Sequence, residues 1–137
     1  HLILPYDVGV KVNGHRANLL VGDLPADGPI LDIGKGTIDK FAKVLRNAMT
    51  IFLSGPAGMI EERDFSLGTS ELMRAAAQSR GFSLVGGGHT VSMVNRLGLA
   101  DHFSYVSTGG GALETYLKGD PLPVVEALRA ARGRKKK

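Results

Sequence analysis

Short apolar runs of about five residues alternate with stretches of helical periodicity through most of the chain, and no other feature of the sequence restricts the fold as much. The runs are "MTIFLSG" (49–55), "FSLVG" (82–86) and "FSYVS" (103–107). Between and after them come helix patterns over about 70–80, 89–97, 110–118 and 124–131, closed by Gly81, Gly98, Gly119 and, before the last, the break "PLP". An earlier amphipathic helix of about three turns is expected where Ile38, Phe41, Val44, Leu45 and Ala48 recur on one face. Strands that alternate with helices of this length need crossovers, so the predicted fold is α/β: a three-layer αβα, Rossmann-like arrangement with a mostly parallel sheet covered on both faces. Strand 49–55 is expected to be buried on both sides.

The first thirty residues differ in character. Leu2–Leu4, Val8–Val12 and Leu19–Val21 read as short strands separated by Asn13, Gly14 and Gly22, and "DLPADGPI" reads as a loop. Because residues 2–4 resemble the interior of a strand, the chain is expected to begin mid-domain.

Composition limits the environment. A chain of 137 residues fits one domain prior, and none of its apolar runs approaches the roughly 20 residues of a membrane span. With no cysteine there is no disulfide framework, and a cytoplasmic location is expected. The net charge of +4 comes from the end: "RAARGRKKK" (129–137) carries six basic side chains, without which the remainder stands at −2. We read 129–137 as a solvated basic tail. Its attraction for nucleic acid is the competing reading, weakened by the absence of interleaved aromatics for base stacking.

Chemistry is expected where strands run into helices. In a parallel sheet ligands bind at the carboxyl ends of strands. Three turns at that edge are marked by glycine: "SGPAG" (54–58), "GGGHT" (86–90) and "STGGGA" (107–112), the last two containing triplets 23 residues apart. Glycine lets phosphate oxygens reach the backbone N–H groups of a helix N-terminus; it also permits tight turns and close packing, and the residues alone leave both uses open. Neither the Walker pattern nor G-x-G-x-x-G with its downstream acid is present. Ser54 and Ser107 lack an assignable histidine base, which points away from covalent catalysis and toward phosphoryl transfer, where positioning and charge neutralisation dominate.

Five motifs in order, "LDIGKGTIDKFAKVL", "SGPAGMIEERDFSLGT", "GGGHT", "LGLADHFSYVSTGGGA" and "LKGDPLPVVEAL", resemble the C-terminal nucleotide-binding domain of phosphoglycerate kinases of the archaeal type. The resemblance covers about residues 30–128; residues 2–29 are similar to that domain's first strand and irregular hairpin. It implies a partial C-terminal nucleotide-binding domain over 1–128, with the N-terminal substrate domain and the first strand-helix unit absent. It implies phosphoryl transfer between ATP and 3-phosphoglycerate, with ATP/ADP and Mg2+ as cofactors and 3-phosphoglycerate held by the absent domain.

Residue by residue, the resemblance makes Glu61 the carboxylate that holds the ribose. Gly86, Gly87, Gly88, His89 and Thr90 become the phosphate loop, with Ser54 and Gly55 beside the nucleotide. Gly109, Gly110 and Gly111, with Gly88, would hold the phosphoryl group in flight. Asp32 and Gly34 are structural and hinge-proximal. His89 departs from the family's usual acidic residue and Ser54 from its asparagine. Magnesium prefers oxygen ligands, so no metal ligand is assigned, and His89 is read either as touching phosphate directly or as a buried or capping histidine, both readings standing open. Without the family's lysine and basic patch, the isolated chain is expected to be an inactive kinase fragment. The alternatives are a stand-alone phosphate- or nucleotide-binding module and a nucleic-acid-associated protein. No membrane partner is expected, while exposed sheet edges make a dimer plausible.

Overall fold

The computed structural model describes residues 2–134. Strands β1 (Asp7–Val12), β2 (His15–Leu20) and β3 (Ile30–Ile33) are followed by helix α1 (Lys35–Asn47) and strand β4 (Thr50–Ser54). Then come α2 (Leu67–Ala77), β5 (Phe82–Gly86), α3 (Gly88–Arg96), β6 (Tyr105–Val106), α4 (Gly110–Leu117) and α5 (Pro123–Arg134). The α/β class therefore holds, with the strands divided between two three-stranded sheets. One is antiparallel, in the order β2-β1-β3, and the other parallel, in the order β4-β5-β6.

The first sheet begins as a hairpin. Asn13 and Gly14 form a two-residue loop between Val12 and His15, both with positive φ (50° and 81°), the backbone twist that suits such a hairpin. β1 lies in the centre, which explains why Val8 and Val10 are buried. Three expectations fail here. Leu2–Leu4 form no strand among the described residues, and Leu2 and Leu4 are 84% and 63% exposed. Strand β2 starts at His15 and ends before Val21, and β3 occupies the end of the expected loop and the residues before α1.

In the parallel sheet, one face is packed. Ile51 and Val85 meet Met73 and Ala76 of α2, Met93 and Val94 of α3, and Phe103. Successive side chains point to opposite faces, so Phe52, Phe82 and Tyr105 lie on the other side, where they are 43%, 55% and 57% exposed. β4 is thus not buried on both faces, because the described residues supply no full helical layer over its second side. The apolar stripe of α1 is likewise only partly used. Ile38 and Ala42 are buried, whereas Phe41, Val44 and Leu45 join Ile3, Leu53 and Leu72 around an open apolar groove of about 240 Å³. Residues 129–134, expected as part of a solvated tail, continue α5; the run Lys135–Lys137 lies outside the described residues.

Two buried aspartates tie the antiparallel sheet to helices α1 and α2. Gly34, at the N-cap of α1, has no side chain to receive the orphan N–H groups. Asp7 of β1 receives them instead: Gly36 donates to Oδ2 at 2.9 Å and Thr37 to Oδ1 at 2.7 Å, with the Thr37 hydroxyl also on Oδ1. Burial pushes the Asp7 carboxyl up, but the hydrogen bonds from the Thr37 hydroxyl and from the Thr37 and Gly36 amides together hold it below its ordinary value of 3.8. A group with a depressed folded value stabilises the protein fully above its unfolded value and loses that contribution as pH falls through the folded one. Asp7→Asn is therefore expected to cost roughly 1–2 kcal/mol at pH 6, with the deficit shrinking at about pH 3; urea unfolding of both proteins at the two pH values checks this.

Candidate functional site at the carboxyl edge of the parallel sheet

β4 and β5 run in register, Ser54 opposite Gly86, so their carboxyl ends finish side by side. The ladder is prolonged toward the third turn where Ser107 N–H donates to the Val85 carbonyl at 2.8 Å. Gly87 caps α3 with φ of 90°, a conformation that side chains resist, and Gly55, in the turn after β4, has a similar φ of 82°. Gly110 opens α4 directly against Gly87. A Cβ built on Gly110 would lie 2.9 Å from the Gly87 Cα and 3.0 Å from its N. The three glycine turns therefore share one edge, and two of them touch.

Polar side chains fix the turns to one another. Gly55 N–H donates to Thr90 Oγ1 at 2.8 Å, tying the β4 turn to the first turn of α3, and Thr90 is buried. Gly109 N–H donates to Ser107 Oγ at 3.3 Å. The Ser54 hydroxyl donates to Glu114 Oε1 at 3.1 Å, tying β4 to α4. The first N–H groups of a helix have no partner in their own helix, so α3 and α4 present them at this edge through Gly88 and His89, and through Gly110 and Gly111. Gly88, His89 and Gly111 are exposed. The arrangement can receive an anion with backbone donors and the partial positive charge of helix ends.

Of the residues singled out from sequence, Ser54, Gly55, Gly86–Thr90 and Gly109–Gly111 come together. Glu61 is exposed on a loop that leaves this edge for the antiparallel sheet: Met59 N–H donates to the Leu31 carbonyl at 2.8 Å, and Glu62 pairs with Lys11 at 2.7 Å. Asp32 faces inward, receiving Arg16 Nη1 at 2.7 Å and the N–H groups of Ile33 and Gly68 at 2.9 Å each. The acceptor for Gly68 places Asp32 at the N-terminus of α2, as Asp7 is placed at that of α1. Arg16 and Glu114 carried no sequence signal. Each reads locally as an ordinary exposed charge, and only its long-range partner gives it a place.

The fold and the edge together define an α/β domain whose glycine turns converge at the carboxyl ends of parallel strands. The family model for phosphoglycerate kinase matches residues 1–120. Phosphoglycerate kinase of Methanothermus fervidus is 40% identical over 136 residues, covering 99% of this chain and 33% of that protein. That of Methanobacterium bryantii is 43% identical over 125 residues, covering 91% and 30%. The structure of phosphoglycerate kinase from Coxiella burnetii matches with a TM-score of 0.83 at 35% identity, over 90% of this chain and 33% of that one. The crystal structure of the enzyme from Pyrococcus horikoshii OT3 matches with a TM-score of 0.80 at 35% identity, over 91% and 32%. The chain belongs to the phosphoglycerate kinase family. It spans about a third of the length of these relatives.

No helix among the described residues is long and apolar enough to cross a membrane.

Proposed function

We propose that this chain is the nucleotide-binding part of a phosphoglycerate kinase that moves a phosphoryl group between ATP and 3-phosphoglycerate. The observation that carries the reading is the contact of Gly110 with Gly87, which sets two helix N-termini side by side at one edge in a chain of this family. In this reading Gly86–Gly88, His89 and the turn after β4 receive the nucleotide phosphates. Gly110 and Gly111, with Gly88, present N–H groups to the phosphoryl group in transfer, and backbone donors fixed beforehand cost no reorganisation there. Thr90 acts through Gly55, whose N–H it holds, and Glu61 receives the ribose. The protein is proposed to work in the cytoplasm.

Magnesium neutralises phosphate charge in such reactions. Oxygen donors that suit it are present at the edge in the Ser54 hydroxyl and the Glu114 carboxylate, whereas His89 offers only nitrogen. The substrate 3-phosphoglycerate is assigned to the parts of the relatives that this chain does not span. The 137-residue chain is accordingly expected to form no ATP from 1,3-bisphosphoglycerate.

Calorimetric titration with ADP and magnesium tests the reading. Saturable binding supports it, and binding that is absent overturns it. His89→Ala is expected to weaken ADP by about tenfold or more, the size of one hydrogen bond lost to a charged group. A stand-alone binding module makes the same binding prediction and differs in one outcome. Adding the remaining two thirds of a relative in trans restores ATP formation if the chain is the nucleotide half of an enzyme, and restores nothing if it is a module without catalysis.

A further inference from the structure

We propose that Glu114 makes this edge select the magnesium-complexed nucleotide over the free one, an inference that rests on the nucleotide reading above. The carboxylate sits close to the phosphate turn. Its Oε1 accepts from Ser54 Oγ at 3.1 Å, and Ser54 Oγ lies 3.8 Å from where a Cβ on Gly87 would be. Ser54 is also the register partner of Gly86. The hydroxyl therefore holds a negative charge beside the glycine at which the phosphates would enter.

No lysine or arginine in the first turns of α3 and α4 offsets that charge, and Lys118, four residues on from Glu114, makes no ion pair with it among the described residues. The first turns of α3 and α4 carry Gly88, His89, Thr90, Gly110, Gly111 and Ala112, with neither lysine nor arginine among them. Backbone N–H groups supply only partial charge. A free diphosphate brings its own negative charges against the carboxylate and is repelled. The same diphosphate carrying a divalent cation presents positive charge there, and a carboxylate is the ligand type that such a cation prefers. Glu114 thus favours the complexed form twice, by repelling the free phosphate chain and by attracting the ion. It is a specificity-determining residue and takes no part in bond making.

The test is the ratio of ADP affinity in excess magnesium to that in EDTA, measured by calorimetry on the 137-residue chain. The wild type is expected to favour the magnesium form. Glu114→Gln is expected to reduce the ratio about threefold to tenfold, chiefly by tightening free ADP, as removal of one like charge a few ångströms away would do. Glu71→Gln removes an equal charge from α2, where Glu71 pairs with Arg74, and is expected to leave the ratio unchanged. Ser54→Ala frees the carboxylate without removing its charge and is expected to shift the ratio in the same direction by a smaller factor. This second variant keeps the test decisive should Glu114→Gln fold poorly. A ratio unmoved in both site variants overturns the inference while leaving nucleotide binding intact, and so does an equal fall in Glu71→Gln. A wild type that binds no ADP in either condition overturns the nucleotide reading and this inference with it.

Discussion

Replacing Arg16 by Met is expected to destabilise the protein by about 3–5 kcal/mol, a large part of the 5–15 kcal/mol that holds a typical domain folded. The reason is the position of Asp32, whose side chain is fully buried while that of Arg16 is 10% exposed. One arginine also serves three acceptors: Nη1 donates to Asp32 Oδ2 at 2.7 Å and to the Asp64 carbonyl at 2.8 Å, and Nη2 donates to the Ile33 carbonyl at 2.7 Å. Methionine would keep the aliphatic stem but leave a buried carboxylate with backbone donors alone and two carbonyls without their partner. The Arg16 guanidinium also stands 5.7 Å from the centre of the Phe65 ring, a contact the substitution removes. Urea unfolding of Arg16→Met, Asp32→Asn and the double variant measures this. The double variant is expected to be more stable than the sum of the single losses implies, because each single change strands the other partner. Additive losses would mean that the pair is not coupled.

The second large effect is expected at Gly110. Alanine there would bring its methyl carbon within 2.9 Å of the Gly87 Cα and 3.0 Å of the Gly87 N, and these are backbone atoms that cannot swing aside as a side chain end can. The cost in stability is expected to be about 1–3 kcal/mol, as for an overpacked methyl. The functional cost is expected to be greater, because relief requires α3 and α4 to move apart at the place where both offer N–H groups. Misplacing donors by a fraction of an ångström weakens several hydrogen bonds together, so ADP affinity should fall about tenfold or more. Calorimetry on the folded variant separates the two costs. Gly22→Ala, away from this edge, is the control, since a Cβ there meets nothing within 4 Å, and its affinity should stay close to that of the wild type.

Much of this architecture is legible from residue order. β5 coincides with its apolar run, and α3 and α4 begin at the glycines that mark their turns. β3 is hidden for a physical reason: it has four residues, and Asp32 among them interrupts the apolar pattern with a charge that points inward. Its polarity is tolerated only because Arg16 crosses the sheet to meet it. That crossing depends on Gly9, which stands opposite Asp32 in the central strand and whose missing side chain leaves room for the guanidinium; a Cβ there would be 2.8 Å from Arg16 Cζ. Leu2–Leu4 fail in the opposite way. They have the composition of a strand, but no strand among the described residues pairs with them, and backbone groups without a ladder do not make one.

What the sequence determined by itself is local: the period of each element, the glycines that end strands and open helices, and the motif order that marks the family. These signals need only neighbours along the chain, since helical and strand patterns are set within a few residues. The tertiary structure decided which polar groups meet. Arg16 finds Asp32 across 16 residues, Asp7 finds Thr37 across 30, Gly55 finds Thr90 across 35, and Ser54 finds Glu114 across 60. A charged or hydroxyl side chain is acceptable inside a protein only beside its partner. That partner is chosen by the path of the backbone between them, which no local spacing specifies.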